Sequence, residues 1–121
     1  MSTETGQQAT PSVFFIRHDA IGESSPLGWR LMQGLLTGLL KANQPPSKII
    51  LVNRGVFLAC KTDPVDVIEP LKQLQSLGVE ILSCGTCLEH FGLTQALQVG
   101  QVGNMVGTID TLTSGQAVVA L

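Results

Sequence analysis

The stretch Gly78-Val79-Glu80-Ile81-Leu82-Ser83-Cys84-Gly85-Thr86-Cys87-Leu88 decides the fold. Val79 to Leu82 is a short apolar run with β-branched members, the pattern of a buried strand. Gly78 before it ends a preceding helix. Thr86-Cys87-Leu88-Glu89 has the Ser/Thr-x-x-Glu form of a helix N-terminal capping box. The two thiols therefore fall in a strand-to-helix turn. Unpaired backbone N–H groups and the helix dipole favour a negative sulfur there. Residues of this kind in this place point to sulfur or redox chemistry.

Outward from this turn, strands and helices alternate. Upstream, Val13-Phe14-Phe15-Ile16 reads as the first strand and Arg17 to Ser24 as a loop. Ser25-Pro26 is a helix start, with Ser as cap and Pro in the first turn. Apolar residues at 27, 31, 32, 35, 36, 39 and 40 give that helix a wide apolar face. Gly34 and Gly38 lower its propensity but would let another backbone approach closely. Ile49-Ile50-Leu51-Val52 is the second strand, Asn53-Arg54-Gly55 a turn, and Val56 to Lys61 a short helix. Asp63-Pro64 reads as the start of a helix that buries Ile68, Leu71 and Leu74. Pro70 should kink that helix or move its start.

Downstream, a brief helix runs to Phe91 and stops at Gly92, and Leu93 to Leu97 forms a further helical turn. Val99 to Val102 is ambiguous between loop and strand. Met105 to Leu112 is a helix and Ala117 to Ala120 a final strand. The expectation is a three-layer α/β/α domain over residues 13–121, with a mainly parallel sheet of about five strands. Residues 1–12, rich in Ser, Thr and Gln, are expected to be a disordered tail.

In a parallel sheet the binding groups gather beyond the carboxyl ends of the strands. Arg17, His18 and Asp19 follow the first strand, Asn53 and Arg54 the second, and Cys84 the third. Cys84 is the better nucleophile, being at the strand end. Cys87 is placed to resolve a persulfide or sulfenate on Cys84. His90, three residues after Cys87, shares a helix face with it. Arg17, Arg54, Asn53 and His90 are the candidates for contact with an anion or persulfide. Histidines in such places are mostly solvated, arginines mostly surface, and paired cysteines can be plain core. Cys60 reads as core.

The composition narrows the function classes. With 121 residues there is one core. Charged residues make up only 13%, about half the usual share, which favours a homo-oligomer. A net charge of −2 argues against nucleic acid, and no apolar run approaches the ~18 residues a membrane helix needs. Every Lys and Arg lies at or before Lys72, so a thiolate at Cys84 needs backbone amides or a base from another loop. An odd cysteine count and a polar amino-terminal stretch without a signal-peptide core predict a cytoplasmic protein. Cys84, Cys87 and His90 have short zinc-like spacing, but no second close ligand pair accompanies them, so no metal is expected. No phosphate loop is present, and the chemistry of a thiol carrier needs no organic cofactor. The Cys pair follows the third strand and no Pro comes after Pro70, which argues against a thioredoxin fold.

The chain resembles the DsrE/DsrF-like sulfur-relay family, most of all the C-terminal domain of YedF-type proteins associated with selenium or sulfur metabolism. The resemblance rests on Ile21-Gly22-Glu23, Leu27-Gly28, Leu31-Met32-Gln33-Gly34, Ile49 to Val56, the cysteine stretch itself, Phe91-Gly92-Leu93 and Val102-Gly103-Asn104-Met105. It implies an α/β/α domain that assembles with copies of itself and, in some members, passes persulfide sulfur between partner proteins. The family's sulfur-carrying cysteine follows a strand, with a Gly eight residues later. Cys84 and Gly92 match that arrangement; Cys87 has no counterpart in single-cysteine members. The small TusA/SirA-like domain of YedF-type proteins has no room in residues 1–12, so a TusA-like donor or acceptor would be a separate protein. Three expectations follow: a sulfurtransferase-like persulfide carrier, a non-catalytic oligomeric binding module, or a Cys84/Cys87 dithiol–disulfide redox protein.

Overall fold

The computed structural model describes residues 11–121; residues 1–10 of the expected tail lie outside them. Five strands form one parallel sheet: β1 (Ser12–Ile16), β2 (Lys48–Leu51), β3 (Glu80–Cys84), β4 (Gln101–Gly103) and β5 (Ala117–Ala120). Their order is β4-β3-β2-β1-β5. Four α-helices connect them: α1 (Pro26–Leu39), α2 (Ile68–Ser76), α3 (Gly85–His90) and α4 (Met105–Leu112).

The steps β1 to β2, β2 to β3 and β3 to β4 run the same way across the sheet. The return from β4 to β5 runs the opposite way. With right-handed crossovers, α1, α2 and α3 cover one face and α4 the other. Lys48 confirms the placement of α4. Its neighbour Ile49 belongs to the core under α1 and α2, whereas the Lys48 Nζ donates to Thr111 Oγ1 of α4 at 3.0 Å.

The first face is well filled. Ile16, Met32, Leu36, Ile49, Leu51, Leu71, Leu74, Ile81 and Leu88 are all essentially removed from water. Each such side chain contributes roughly 1.5–3 kcal/mol of burial. The second face is thinly covered. On and beside α4, Val102, Met105, Val106 and Ile109 are each more than half exposed.

Local signals explain the helix starts. Ser25 caps α1 by accepting the Gly28 N–H at 3.1 Å, with Pro26 opening the helix. Asn104 caps α4 by accepting the Gly107 N–H at 2.8 Å. The buried stripe of α1 is narrower than its apolar pattern: Gly28, Met32, Leu36 and Leu39 are inside, while Leu27 and Leu31 face water. Gly34 and Gly38 face open space. Pro70 moves the start of α2 to Ile68. In the first turn its missing N–H breaks no helical hydrogen bond. Asp63-Pro64 starts no helix.

The segment read as a turn and short helix is one 3-10 helix, Asn53–Ala59. Gly55 to Ala59 are all buried in it. The tighter winding lets five consecutive residues sink against the sheet end. Among the described residues, no helix is long and apolar enough to cross a membrane.

Candidate functional site

The parallel register brings the carboxyl ends together. Ile16 lies beside Leu51, Leu51 beside Ser83, and Cys84 beside Gly103. Strand β3 runs one residue further than Leu82-Ser83, so Cys84 is both its last residue and the N-cap of α3. The expected capping box does not form. The helix begins at Gly85, before Thr86 could cap it, and no side-chain cap bond is made. Strand pairing with β4 holds the backbone extended through Cys84, and this sets the helix start instead.

Cys84 and Cys87 are both half-buried and unlinked. They stand three residues apart across the first turn of α3, and both pack against the core cluster. The backbone N–H of Asn53 donates to Cys87 Sγ at 3.1 Å. Asn53 adopts a left-handed φ of 51°, which turns the chain at the end of β2 and aims this N–H at the sulfur. Burial pushes the Cys87 thiol above the ordinary value. The Asn53 N–H partly offsets this, and the neighbouring Cys84 sulfur adds to it.

The two thiols open into different clefts. Cys84 lines one of about 280 Å³ with Glu89, Thr94, Gly103, Asn104 and Met105. Cys87 lines another of about 380 Å³ with Val52, Asn53, His90 and Phe91. Thr86 borders both. Phe91 packs edge-on against Phe57 with ring centroids 4.8 Å apart, and His90 packs edge-on against Phe91 at 5.0 Å.

Not every residue expected at the site reaches it. Cys84, Cys87, Asn53 and His90 converge around α3. Arg54 turns away: its guanidinium lies 4.6 Å over the Phe57 ring and meets Asp19 Oδ2 at 3.4 Å. Arg17 donates from Nε to the Leu121 carbonyl at 3.2 Å, on the β5 side of the sheet. Asp19 is almost fully buried and also contacts His18 Nδ1 at 2.8 Å, while His18 Nε2 meets Ser24 Oγ at 3.2 Å. This chain of contacts braces the loop between β1 and α1. Cys60 is buried at the end of the 3-10 helix. Among the described residues, no three of His, Cys, Asp and Glu come together as metal ligands.

The sequence profile of the DsrE/DsrF-like family matches residues 29–121. The chain belongs to the DsrE/DsrF-like family. Solved structures agree on the DsrE-like fold. The ychN protein from E. coli superposes with a TM-score of 0.72 at 17% identity, over 93% of this chain and all of the other. MTH1491 from Methanobacterium thermoautotrophicum, a protein of unknown function, gives 0.63 at 21% identity over 93% of this chain and 100% of that one. BT1422 from Bacteroides thetaiotaomicron gives 0.65 at 15% identity, over 91% and 94%. No curated protein matches the chain. DsrE/DsrF-like membership gives the domain a sulfur-relay-related setting.

Proposed function

We propose that this protein is a persulfide carrier of a sulfur relay, with Cys84 as the residue that accepts sulfane sulfur. The observation that carries the reading is the position of Cys84: last in β3, first at α3, and open to a cleft beyond the sheet edge. That is where parallel α/β sheets gather reactive groups. Family membership points the same way. A thiolate at Cys84 attacks the outer sulfur of a donor persulfide, the donor's S–S bond breaks and the donor leaves as a thiolate, and Cys84–S–SH later yields its outer sulfur to an acceptor thiol in the same way. Donor and acceptor would be thiol proteins, a TusA-like protein among them, in a reducing compartment.

The test is intact mass before and after treatment with inorganic polysulfide. Wild type is expected to gain one sulfur atom, removable by dithiothreitol, and Cys84→Ser to gain none at this site. A wild-type protein that never carries the extra sulfur would end the carrier reading.

A second reading, an assembly module, is favoured by the exposed apolar surface of Val102, Met105, Val106 and Ile109. Exposed apolar patches of this kind mark association surfaces. A homo-oligomer through α4 is the proposed state. Sedimentation velocity should show an assembly that Ile109→Glu breaks. A wild-type monomer at micromolar concentration would refute it.

A further inference from the structure

The two cysteines of a C-x-x-C turn ordinarily share one mouth. Here they do not. Cys84 opens beside β4 and the start of α4, in a cleft whose titratable groups are Cys84 itself and Glu89. Cys87 opens on the other side of the first turn of α3, between Val52, Asn53, His90 and Phe91. The two residues nonetheless stand three positions apart across the first turn of α3, the spacing that makes helix side chains neighbours, and both pack against the same core cluster. A sulfur atom bound to Cys84 extends about 2 Å beyond Sγ, which lengthens the reach of Cys84 towards this neighbour.

We propose that Cys84 and Cys87 form a two-thiol relay that carries sulfane sulfur across the first turn of α3. The donor persulfide engages the Cys84 cleft, and the acceptor thiol engages the Cys87–His90 cleft. This rests on the carrier reading and adds a direction to it.

The step is a transpersulfidation. Cys87 Sγ attacks the outer sulfur of Cys84–S–SH. A bond forms between that sulfur and Cys87 Sγ as its bond to Cys84 Sγ breaks. The electron pair of the broken bond stays on Cys84 Sγ, which takes up the proton that Cys87 gives up. One persulfide and one thiol go in; one persulfide and one thiol come out. No oxidant or reductant is consumed.

The surroundings of Cys87 suit the receiving role. The Asn53 N–H at 3.1 Å supports negative charge on its sulfur during attack. Burial and the neighbouring sulfur keep the resting thiol protonated, so it carries the proton the step requires. The walls of its cleft, Val52 and Phe91, are apolar, and His90 is the titratable neighbour for the incoming acceptor thiol.

The experiment loads the full chain with inorganic polysulfide, traps it by alkylation, and locates the extra sulfur by fragmentation mass spectrometry. Hand-over is then timed with a small acceptor thiol, N-acetylcysteine. In wild type the one extra sulfur should be found divided between Cys84 and Cys87. Cys84→Ala should leave Cys87 unloaded. Cys87→Ala should load Cys84 fully but hand sulfur on at least about tenfold more slowly. Two blocking variants separate the mouths: Thr94→Trp should slow loading, and His90→Trp should slow release.

Release from Cys87→Ala at the wild-type rate would overturn the relay while leaving Cys84 as a carrier. Accumulation of a Cys84–Cys87 disulfide with loss of hydrosulfide would also overturn it, because Cys87 would then attack the inner sulfur. Absence of any sulfur on wild-type Cys84 would instead overturn the carrier reading itself, and the relay with it.

Discussion

Ser83 offers a direct test of how the site is supported from beneath. It is fully buried, and its hydroxyl has no hydrogen-bond partner. By strand alternation it shares the core face of Ile81. Burying a hydroxyl without a partner costs roughly 1–3 kcal/mol. Ser83→Ala removes that cost. It also leaves a void of one oxygen atom, losing a few dispersion contacts of about 0.1–0.2 kcal/mol each. The net expectation is a stabilisation of about 1 kcal/mol, which for a chain of this size raises Tm by about 4 °C. Urea unfolding followed by circular dichroism measures it, with the slope unchanged. A loss of 1 kcal/mol or more would show that the Ser83 hydroxyl is satisfied, and the reasoning would be wrong. Sulfur loading on Cys84 should be unaffected, because the backbone of β3 is held by its pairing with β2 and β4.

Other outcomes follow from the same geometry. Burial raises the Cys60 thiol against the opposing pull of Lys61, and it raises Cys87 as well. Both groups keep their protons longer in the folded chain, so stability should fall as pH rises above the unfolded thiol value of about 9. A urea midpoint that stays flat through that range would refute this. Gly55→Ala drives a Cβ into the Ile16 carbonyl oxygen. It should cost about 2 kcal/mol or more and change the alkylation rate of Cys87 by displacing the neighbouring Asn53; unchanged melting would count against it. Asp19→Ala removes the buried carboxylate between His18 and Arg54. A loss of about 2 kcal/mol is expected, less than for a fully buried pair because Arg54 is partly solvated. Chemical denaturation would decide it, and a neutral result would mean that the loop does not depend on this carboxylate.

Much of the fold was legible because its signals are local. Ser25-Pro26 announced α1, and the apolar runs at 49–51 and 79–82 announced β2 and β3. Helix α4 and strand β5 fall on the expected residues. The misreadings have physical causes. Thr86 and Glu89 have the right spacing for a capping box, but β-pairing carries the strand through Cys84 before either can act. Val56 to Ala59 is helical as read, but Asn53-Arg54-Gly55, taken as a turn, belongs to the same 3-10 helix. The apolar face of α1 looked wide in sequence, yet only one stripe of it meets the sheet.

The site was legible in its cysteines and not in its surroundings. The Asn53 contact with Cys87 crosses 34 positions and uses a main-chain donor, which leaves no trace in side-chain identity. Arg54 was a reasonable anion partner by position. A buried carboxylate 35 residues away claims it instead. Two separate mouths for neighbouring cysteines also could not be read from spacing, because the partition depends on which flanking strand each sulfur faces.

The strand order carries a cost in time. Strand β1 pairs with β5, the described strand furthest from it in sequence, and the crossover through α4 spans the whole sheet. During synthesis one edge of β1 stays open until β5 has been made. Until then an apolar row, Val13 to Ile16, is free to pair with the wrong strand. Loss of β5 would therefore be felt at β1, as aggregation rather than as a missing strand.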